Sequence, residues 1–545
     1  MGTYLNPGCD GFERIIKGIY IDKTGLIELI NKTIGTTDNL ICVSRPRRFG
    51  KSYAAQMLAA YYDCTCDADN LFKGFDIAES DQYRAHLNKY NVIYLDITGF
   101  ISDLKSEGES LKSVTNNIKD VIRKELMVLY PEIEECSKLS EAILKYVEKT
   151  GRKFVFIIDE WDAVIREAKN ESDIQKAYLN FLRDLFKNGN FTPKAVAAAY
   201  MTGILPIKKD GTESAISDFN EYSFLSPGSF AEYTGFTEDE VRSLCEQNEM
   251  EIKGLKEWYD GYSFDKDCII YNPYSVMSAI KKKSLGSYWQ KTSAAESLTT
   301  YINMNYDGLQ DVVLRLISGE EIEVDVDMFE NDVESFKSKD DVLTLLIHLG
   351  YLTYDQVNKT ARIPNKEVRS EFQSLLRTSG NSKLAELIAN SERLLKDTIV
   401  DNEQAVEEAI ERIRESEYAP AFYNDEQALR YILKFAYITC VEQYLKVEEL
   451  PSGRGVADVV FVPKKTSPLP ALVVELKWNK TAEAAIAQIE KNNYPKVLED
   501  FCGCIKLVGI NYDEKSKKHT CRIRTVNRHS QRESSPMTSK ARRDL

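Results

Sequence analysis

Two short stretches of the chain carry residue types at spacings that could handle phosphate. The first is Arg45-Pro46-Arg47-Arg48-Phe49-Gly50-Lys51-Ser52, which follows most of the pattern G-x-x-x-x-G-K-[ST]. A loop of that kind curls backbone N–H groups around phosphate oxygens and points a helix N-terminus at the anion. Gly50 would allow close backbone approach, Lys51 could reach the β- and γ-phosphates, and the Ser52 hydroxyl could ligate Mg²⁺. Arg45 stands where the pattern has its first glycine, so the turn into the loop must differ. Arg47 and Arg48 could contact phosphates or a partner, and would be equally ordinary as solvated loop residues.

A lone Gly-Lys-Ser occurs often by chance, so its setting matters. It follows an apolar run at residues 39–44 and opens a helical pattern in which Ala54, Met57, Leu58 and Tyr61 share a face. A second apolar run, residues 154–158, ends in Asp159 and Glu160. Asp159 could hold a Mg²⁺ shell and Glu160 could orient an attacking water. Alone, the two acids would read equally well as a polar strand end. Thr202, at the end of another apolar run, stands where a polar residue could sense a γ-phosphate, although a β-forming residue at a strand end needs no such role. Together these features predict ATP with Mg²⁺, the binding residues being 45–52, Asp159 and Thr202.

The second stretch lies near the C-terminus. Gly453-Arg454-Gly455-Val456-Ala457-Asp458 is followed, after sixteen residues, by Glu475-Leu476-Lys477 at the end of an apolar run. Alternation in a strand would put Glu475 and Lys477 on one side. Asp458 on a neighbouring strand could meet them. Two carboxylates at one point suit Mg²⁺, which favours hard oxygen ligands. The metal would polarise a phosphodiester and acidify a water, with Lys477 placing that water or stabilising developing charge. Glu426, on a preceding helix, could approach the metal. Gln488, on a following one, could orient the site or touch a nucleic-acid backbone. A D…E-x-K set is weak by itself, because surface ion pairs explain most such matches.

The elements that must position these residues can be read from the apolar pattern. Runs at 39–44, 92–95, 154–158 and 195–201 alternate with helical stretches, which implies a parallel sheet covered on both faces. Residues 236–402 read as mainly helical. Within them a helix at 341–349 and strands at 351–354 and 361–364 suggest a winged helix. Further on, a helix at 425–447 precedes strands at 457–462 and 471–476, then a helix at 481–492 and a strand at 505–510. The tail, 527–545, is Ser/Arg/Lys-rich without periodicity and is expected to be disordered.

Bulk properties narrow the class. The 545 residues suit about three domains. No apolar run approaches the roughly 20 residues of a membrane span, and the N-terminus lacks a basic region followed by an apolar stretch, so no secretory signal is expected. The eleven cysteines and four histidines have no metal-ligand spacing. Reduced thiols and a cytoplasmic location are the expectation. The net charge of −14 speaks against nucleic acid, but residues 420–545 hold 21 Lys+Arg against 15 Asp+Glu, leaving −20 on the rest. A basic end hints at a polyanionic partner.

The chain resembles the bacterial and archaeal proteins that pair an AAA-ATPase-like domain with a C-terminal PD-(D/E)XK nuclease domain. The resemblance rests on Tyr20-Ile21-Asp22-Lys23-Thr24, the loop at 45–52, Ile158-Asp159-Glu160-Trp161-Asp162 and Met201-Thr202-Gly203-Ile204-Leu205. It continues through Trp258-Tyr259-Asp260-Gly261-Tyr262, Tyr271-Asn272-Pro273, Tyr288-Trp289 with Thr292-Ser293, and the Asp458, Glu475, Lys477 and Gln488 segments. Arg45 is similar to the GPRR-x-GK loop of archaeal-type ATPases. The resemblance implies an α/β chain with a P-loop NTPase sheet at 1–235, a mainly helical region at 236–402, a restriction-endonuclease-like domain at 403–526 and the tail. It also implies an ATPase coupled to a Mg²⁺-dependent nuclease acting on nucleic acid, DNA being the expected form, in defence or mobile-element biology. The catalytic set is then Asp458, Glu475, Lys477, Gln488, Glu426 and Glu160, and the metal ligands are Ser52, Asp159, Asp458 and Glu475. The alternative is a nucleotide-dependent switch whose nuclease-like domain docks nucleic acid without cutting it. No membrane partner is expected. A homo-oligomer stays open, with no arginine finger assignable.

Overall fold

The computed structural model describes residues 2–168, 171–207, 218–265, 268–289, 306–327, 338–378, 382–415, 426–452, 455–464, 467–491 and 503–527, with isolated positions besides. The expected tail lies outside the described residues from 528 onward. The chain forms two compact units, Met1–Ala294 with Glu321–Glu371, and Ala295–Glu320 with Phe372–Leu545.

The first unit is built on five strands: β1 (Leu40–Ser44), β2 (Asn91–Asp96), β3 (Phe154–Asp159), β4 (Val196–Gly203) and β5 (Asn220–Tyr222). They pair in the order β2-β3-β4-β1-β5, and every pairing is parallel. The apolar runs are continuous because the sheet is buried on both faces. Leu40, Cys42, Phe154, Phe156 and Ile158 feed one core, while Ile41, Val43, Val155 and Ile157 feed the other. Period-2 alternation thus sends each strand's neighbours to opposite sides. The sequence reading of strand–loop–helix at the phosphate loop holds: α1 spans Lys51–Tyr62, directly after β1 and its loop.

Beyond this sheet the middle of the chain is helical, with two small sheets, of which sequence reading anticipated only the hairpin of the second. One joins β6 (Phe236–Thr237), β7 (Tyr262–Asp265) and β8 (Cys268–Tyr271) in the order β6-β8-β7. The other joins β9 (Ile322–Glu323), β10 (Thr353–Asp355) and β11 (Thr360–Arg362) in the order β9-β11-β10. The expected helix and hairpin are present as Lys339–His348 followed by β10 and β11. That helix is buried on all sides: every residue from Asp341 to His348 is covered.

The second unit carries a mixed sheet of β12 (Tyr444–Ser452), β13 (Gly455–Pro463), β14 (Ala471–Trp478), β15 (Cys504–Asp513) and β16 (Lys518–Asn527), in that spatial order. Only β14 and β15 run parallel. The helix Ala482–Lys491 lies between them in sequence and packs so close to β15 that a Cβ on Gly509 would stand 2.3 Å from the Ala482 carbonyl oxygen. One expected boundary is corrected here. The helix drawn over 425–447 ends at Ala436, and Tyr444 begins an edge strand. The switch to period 2 explains it: Tyr444 is buried while Leu445 is 60% exposed. No helix among the described residues is long and apolar enough to cross a membrane.

Candidate functional site

In a parallel sheet the strand ends that feed helices converge on one edge, and ligands sit there. In the first unit that edge gathers the loop after β1, Asp96, Asp159 with Glu160, and Thr202. A cavity of about 750 Å³ opens beside it. Its walls include Arg47, Arg48, Phe49, Gly50, Lys51, Ser52, Asp159 and Glu160.

Gly50 caps α1 at φ +86°, the left-handed region that a side chain resists, and nothing lies within 4 Å of where its Cβ would be. Space is therefore left on the cavity side of the loop. The Lys51 ammonium is buried and donates to the carbonyl oxygens of Arg45 (3.0 Å) and Pro46 (2.9 Å). It also lies 3.4 Å from Glu160. Asp159 is 4% exposed, accepts the Thr202 hydroxyl at 2.5 Å, and faces Ser52. Burial pushes its carboxyl above the usual range, against the pull of the Ser52 and Thr202 hydroxyls. A cation held between Ser52 and Asp159 would favour the ionised form. Those two side chains fit Mg²⁺ in donor type, hydroxyl beside carboxylate.

Glu160 occupies φ +54°, uncommon for a side-chain-bearing residue. Its carboxylate pairs with Arg166 at 2.5 Å as well as with Lys51. Burial would raise its pKa, but Lys51, Arg166 and Arg47 outweigh that and hold it below the ordinary carboxylate range. Arg166 in turn donates through Nε to the fully buried Asp162 at 3.0 Å, and Asp162 accepts the backbone N–H groups of Ile204 and Leu205. Asp162 thus ties the acid-bearing turn after β3 to the turn after β4.

Several expected residues sit elsewhere. Arg45 does not face the cavity. Its fully buried guanidinium caps the carbonyl oxygens of Ser44 (2.9 Å), Tyr222 (2.8 Å) and Ser223 (2.9 Å), and lies 5.1 Å from the Phe264 ring centre. Pro46 is likewise outside the cavity, against Gly350. Thr202 meets the site only through Asp159 and the Glu160 N–H.

The apolar and aromatic part of the lining was not anticipated as a site: Tyr20, Ile21, Tyr233, Phe236, Tyr274 and Met277. The signal lay in Tyr20 to Thr24 and Tyr271 to Pro273, segments whose chemistry is not legible in isolation. Lys23 anchors the first segment by pairing with Glu240 at 2.5 Å, and Asn272 caps the helix Pro273–Lys282 that carries Tyr274 and Met277.

In the second unit, the strands bring Asp458, Glu475 and Lys477 together. Asp458 accepts the Leu476 N–H at 2.8 Å across the β13–β14 pair. Lys477 donates to Glu475 at 2.8 Å and to the Leu476 carbonyl oxygen at 2.7 Å. All three side chains are nearly buried. Burial raises the Glu475 pKa, opposed by Lys477 and reinforced by Asp458 and Glu426. Glu426, at the start of the helix Glu426–Ala436, therefore stands near enough to be felt. Gln488 is half-buried on its helix and makes no hydrogen bond to these three among the described residues. Sequence reading missed Arg430, one turn after Glu426, which forms an ion pair with Asp458. Among the described residues no three His, Cys, Asp or Glu side chains cluster as metal ligands. Asp458 and Glu475 supply two carboxylates of the right type. A hard cation there would complete its shell with backbone, water or substrate oxygens.

Residues 7–212 match the family described as "AAA-ATPase_like: Predicted AAA-ATPase". The N-terminal part of the chain is thus similar to that family. A protein of Azotobacter chroococcum mcd 1, "Uncharacterized protein in vnfD 5'region", is 24% identical over 391 residues, covering 68% of this chain and 69% of that one. Among solved structures, the Aeropyrum pernix ORC2 protein in ADPNP–ADP complexes matches 67% of this chain and 97% of its own at 11% identity and a TM-score of 0.33. The replication initiator DnaA bound to AMPPCP and single-stranded DNA matches 70% and 91% at 10% identity and a TM-score of 0.25. The fold assignment here stands on strand order and loop geometry rather than on those superpositions.

Proposed function

We propose that the chain is a cytoplasmic ATP-binding and ATP-hydrolysing protein that couples its P-loop unit to a Mg²⁺-dependent phosphodiesterase of PD-(D/E)XK type acting on DNA. The observation that carries the ATP half is the convergence of Gly50, Lys51, Ser52, Asp159 and Glu160 on one 750 Å³ cavity that aromatic and apolar side chains also line. Cationic and polar groups beside aromatic ones suit a nucleotide's phosphates and base. Lys51 would exchange its carbonyl partners for phosphate oxygens, and Ser52 with Asp159 would hold Mg²⁺. Glu160, kept anionic by its two cations, would orient the attacking water. Arg45 serves this site as scaffold, shaping the turn that a glycine provides in the common pattern.

The nuclease half is supported by the adjacency of Asp458, Glu475 and Lys477 on paired strands. Asp458 and Glu475 would hold Mg²⁺, which would supply Lewis-acid polarisation of the phosphate. Lys477 would place a water or stabilise charge on the phosphate oxygens, and Glu426 would tune the carboxylates. The domain proposal is unchanged: a P-loop domain to about residue 235, a helical domain with a winged-helix order of helix and hairpin to about 402, and the nuclease-like domain to about 526. Assembly of several copies belongs to the same proposal.

One observation favours a second reading. Each carboxylate already has a side-chain cation, Arg430 on Asp458 and Lys477 on Glu475. A switch protein that docks nucleic acid without cutting it would keep such pairs permanently. Two substitutions separate the halves. Lys51→Ala should abolish binding of a fluorescent ATP analogue, and unchanged affinity would remove the P-loop assignment. Lys477→Ala should abolish cleavage with ATP binding intact, and retained cleavage would place the active site elsewhere.

A further inference from the structure

The Tyr288-Trp289 segment has no role in the scheme above and does not line the cavity. It lies in residues 284–289, which form neither helix nor strand. One carboxylate pins it. Glu367, 1% exposed, accepts the N–H of Tyr288 at 2.6 Å and that of Trp289 at 3.0 Å. The Tyr288 carbonyl oxygen then accepts Arg48 Nη1 at 3.2 Å. Arg48 is a cavity wall residue at φ +70°, with its guanidinium 4.0 Å from the Tyr274 ring centre, and Tyr274 is another cavity wall residue.

A second set of contacts runs beside the first. Phe49 packs edge-on against Tyr262, 5.2 Å between ring centres, and the Tyr262 hydroxyl donates to the Gly350 carbonyl oxygen at 2.9 Å. Gly350 sits at φ +82°, with Pro46 so close that a Cβ would stand 2.8 Å from it, and Trp289 at 3.1 Å. The phosphate loop is thus braced at Pro46, Arg48 and Phe49 by the segment that Glu367 fixes and by the turn after the helix Lys339–His348.

Resting on the nucleotide reading, we infer that Glu367 is a positioning residue for the nucleotide site, acting through the Tyr288–Trp289 backbone on Arg48, and that nucleotide phosphates alter this contact when they engage Arg48. An anion near Arg48 competes with the Tyr288 carbonyl for one guanidinium, so occupancy changes how firmly the segment is held. Glu367 is not among the cavity wall residues; besides the two N–H groups it faces the Ser275 hydroxyl, on the helix that carries Tyr274.

Hydrogen exchange on the full chain, with a non-hydrolysable ATP analogue and Mg²⁺, tests this. In the wild type the analogue should slow exchange in the phosphate loop and change the rates at Tyr288 and Trp289 by fivefold or more. In Glu367→Ala the phosphate loop should still respond while Tyr288 and Trp289 no longer do, and the analogue's Kd should rise severalfold. Glu367→Gln, which keeps an acceptor oxygen under both N–H groups, should restore both readouts, and a thermal melt would show whether the alanine variant folds. Protection of the phosphate loop in the wild type with Tyr288 and Trp289 unmoved would overturn the inference and leave the nucleotide site standing. So would a response in Glu367→Ala equal to the wild type. If the analogue protects neither region of the wild type, the nucleotide reading fails and the inference with it. A glutamine variant that folds but stays uncoupled would equally contradict the acceptor role.

Discussion

Glu367 shows at the scale of one residue how a buried acid betrays its duties. Burial raises its carboxyl from an ordinary value near 4.5 to about 7, with the neighbouring Glu371 adding to the rise and the Tyr288 and Trp289 N–H groups opposing it. The folded protein therefore holds this proton more tightly than the unfolded chain does. Its contribution to stability is full below about 4.5 and is lost as pH rises through about 7. The shift corresponds to roughly 3 kcal/mol at most. Glu367→Gln should flatten the fall in denaturation midpoint between pH 5 and 7.5, and an unaltered pH profile would contradict the burial argument. Residues of this kind are not legible in a sequence, because nothing local distinguishes Glu367 from a solvated glutamate on a helix. Lys51, Ser52, Asp159 and Glu160 were legible because their spacing and the apolar runs before them are local. Arg166 and Arg430 escaped notice although each stands four residues after an acid already singled out, Asp162 and Glu426. Their partners are fixed by tertiary packing.

Elements were readable where their pattern is long. Strands β1 to β4 are buried on both faces, so each appears as an apolar run, whereas the short polar edge strand β5 does not, and α1 begins at the residue that the Gly-Lys-Ser pattern demands. Strands of two to four residues, such as β6 to β9, are too short for alternation to register. The edge strand β16 carries polar residues such as Lys518, Thr520, Arg522 and Arg524 on its open side, which hides it. Arg45 belongs to this scale, because its guanidinium fastens the end of β1 to residues at and after the end of the neighbouring β5. No carboxylate pairs with it among the described residues, and burial lowers its pKa to about 10. Arg45→Met should leave the Ser44, Tyr222 and Ser223 carbonyl oxygens without their donor. A loss of roughly 3 kcal/mol in unfolding free energy is expected. Arg45→Lys should recover little of it, since an ammonium cannot reproduce the planar fork. Chemical denaturation of the two variants decides this, and a fully stable methionine variant would show that Arg45 is dispensable to the scaffold.

Over the whole molecule, the two proposed chemistries belong to two compact units. The first holds a phosphate loop, an acidic strand end and an aromatic wall around one cavity. The second holds two buried carboxylates and a lysine on adjacent strands of a mixed sheet. The basic excess is confined to residues 420–545 and does not extend over the second unit as a whole. Coupling between ATP and phosphodiester chemistry is the central claim, and one assay addresses it most directly: Mg²⁺-dependent cleavage of plasmid and single-stranded DNA by the full chain, with and without ATP, beside Glu475→Ala. The account predicts cleavage that requires Mg²⁺, responds to ATP and disappears in Glu475→Ala. No cleavage under any of these conditions, or cleavage that survives in Glu475→Ala, would contradict it.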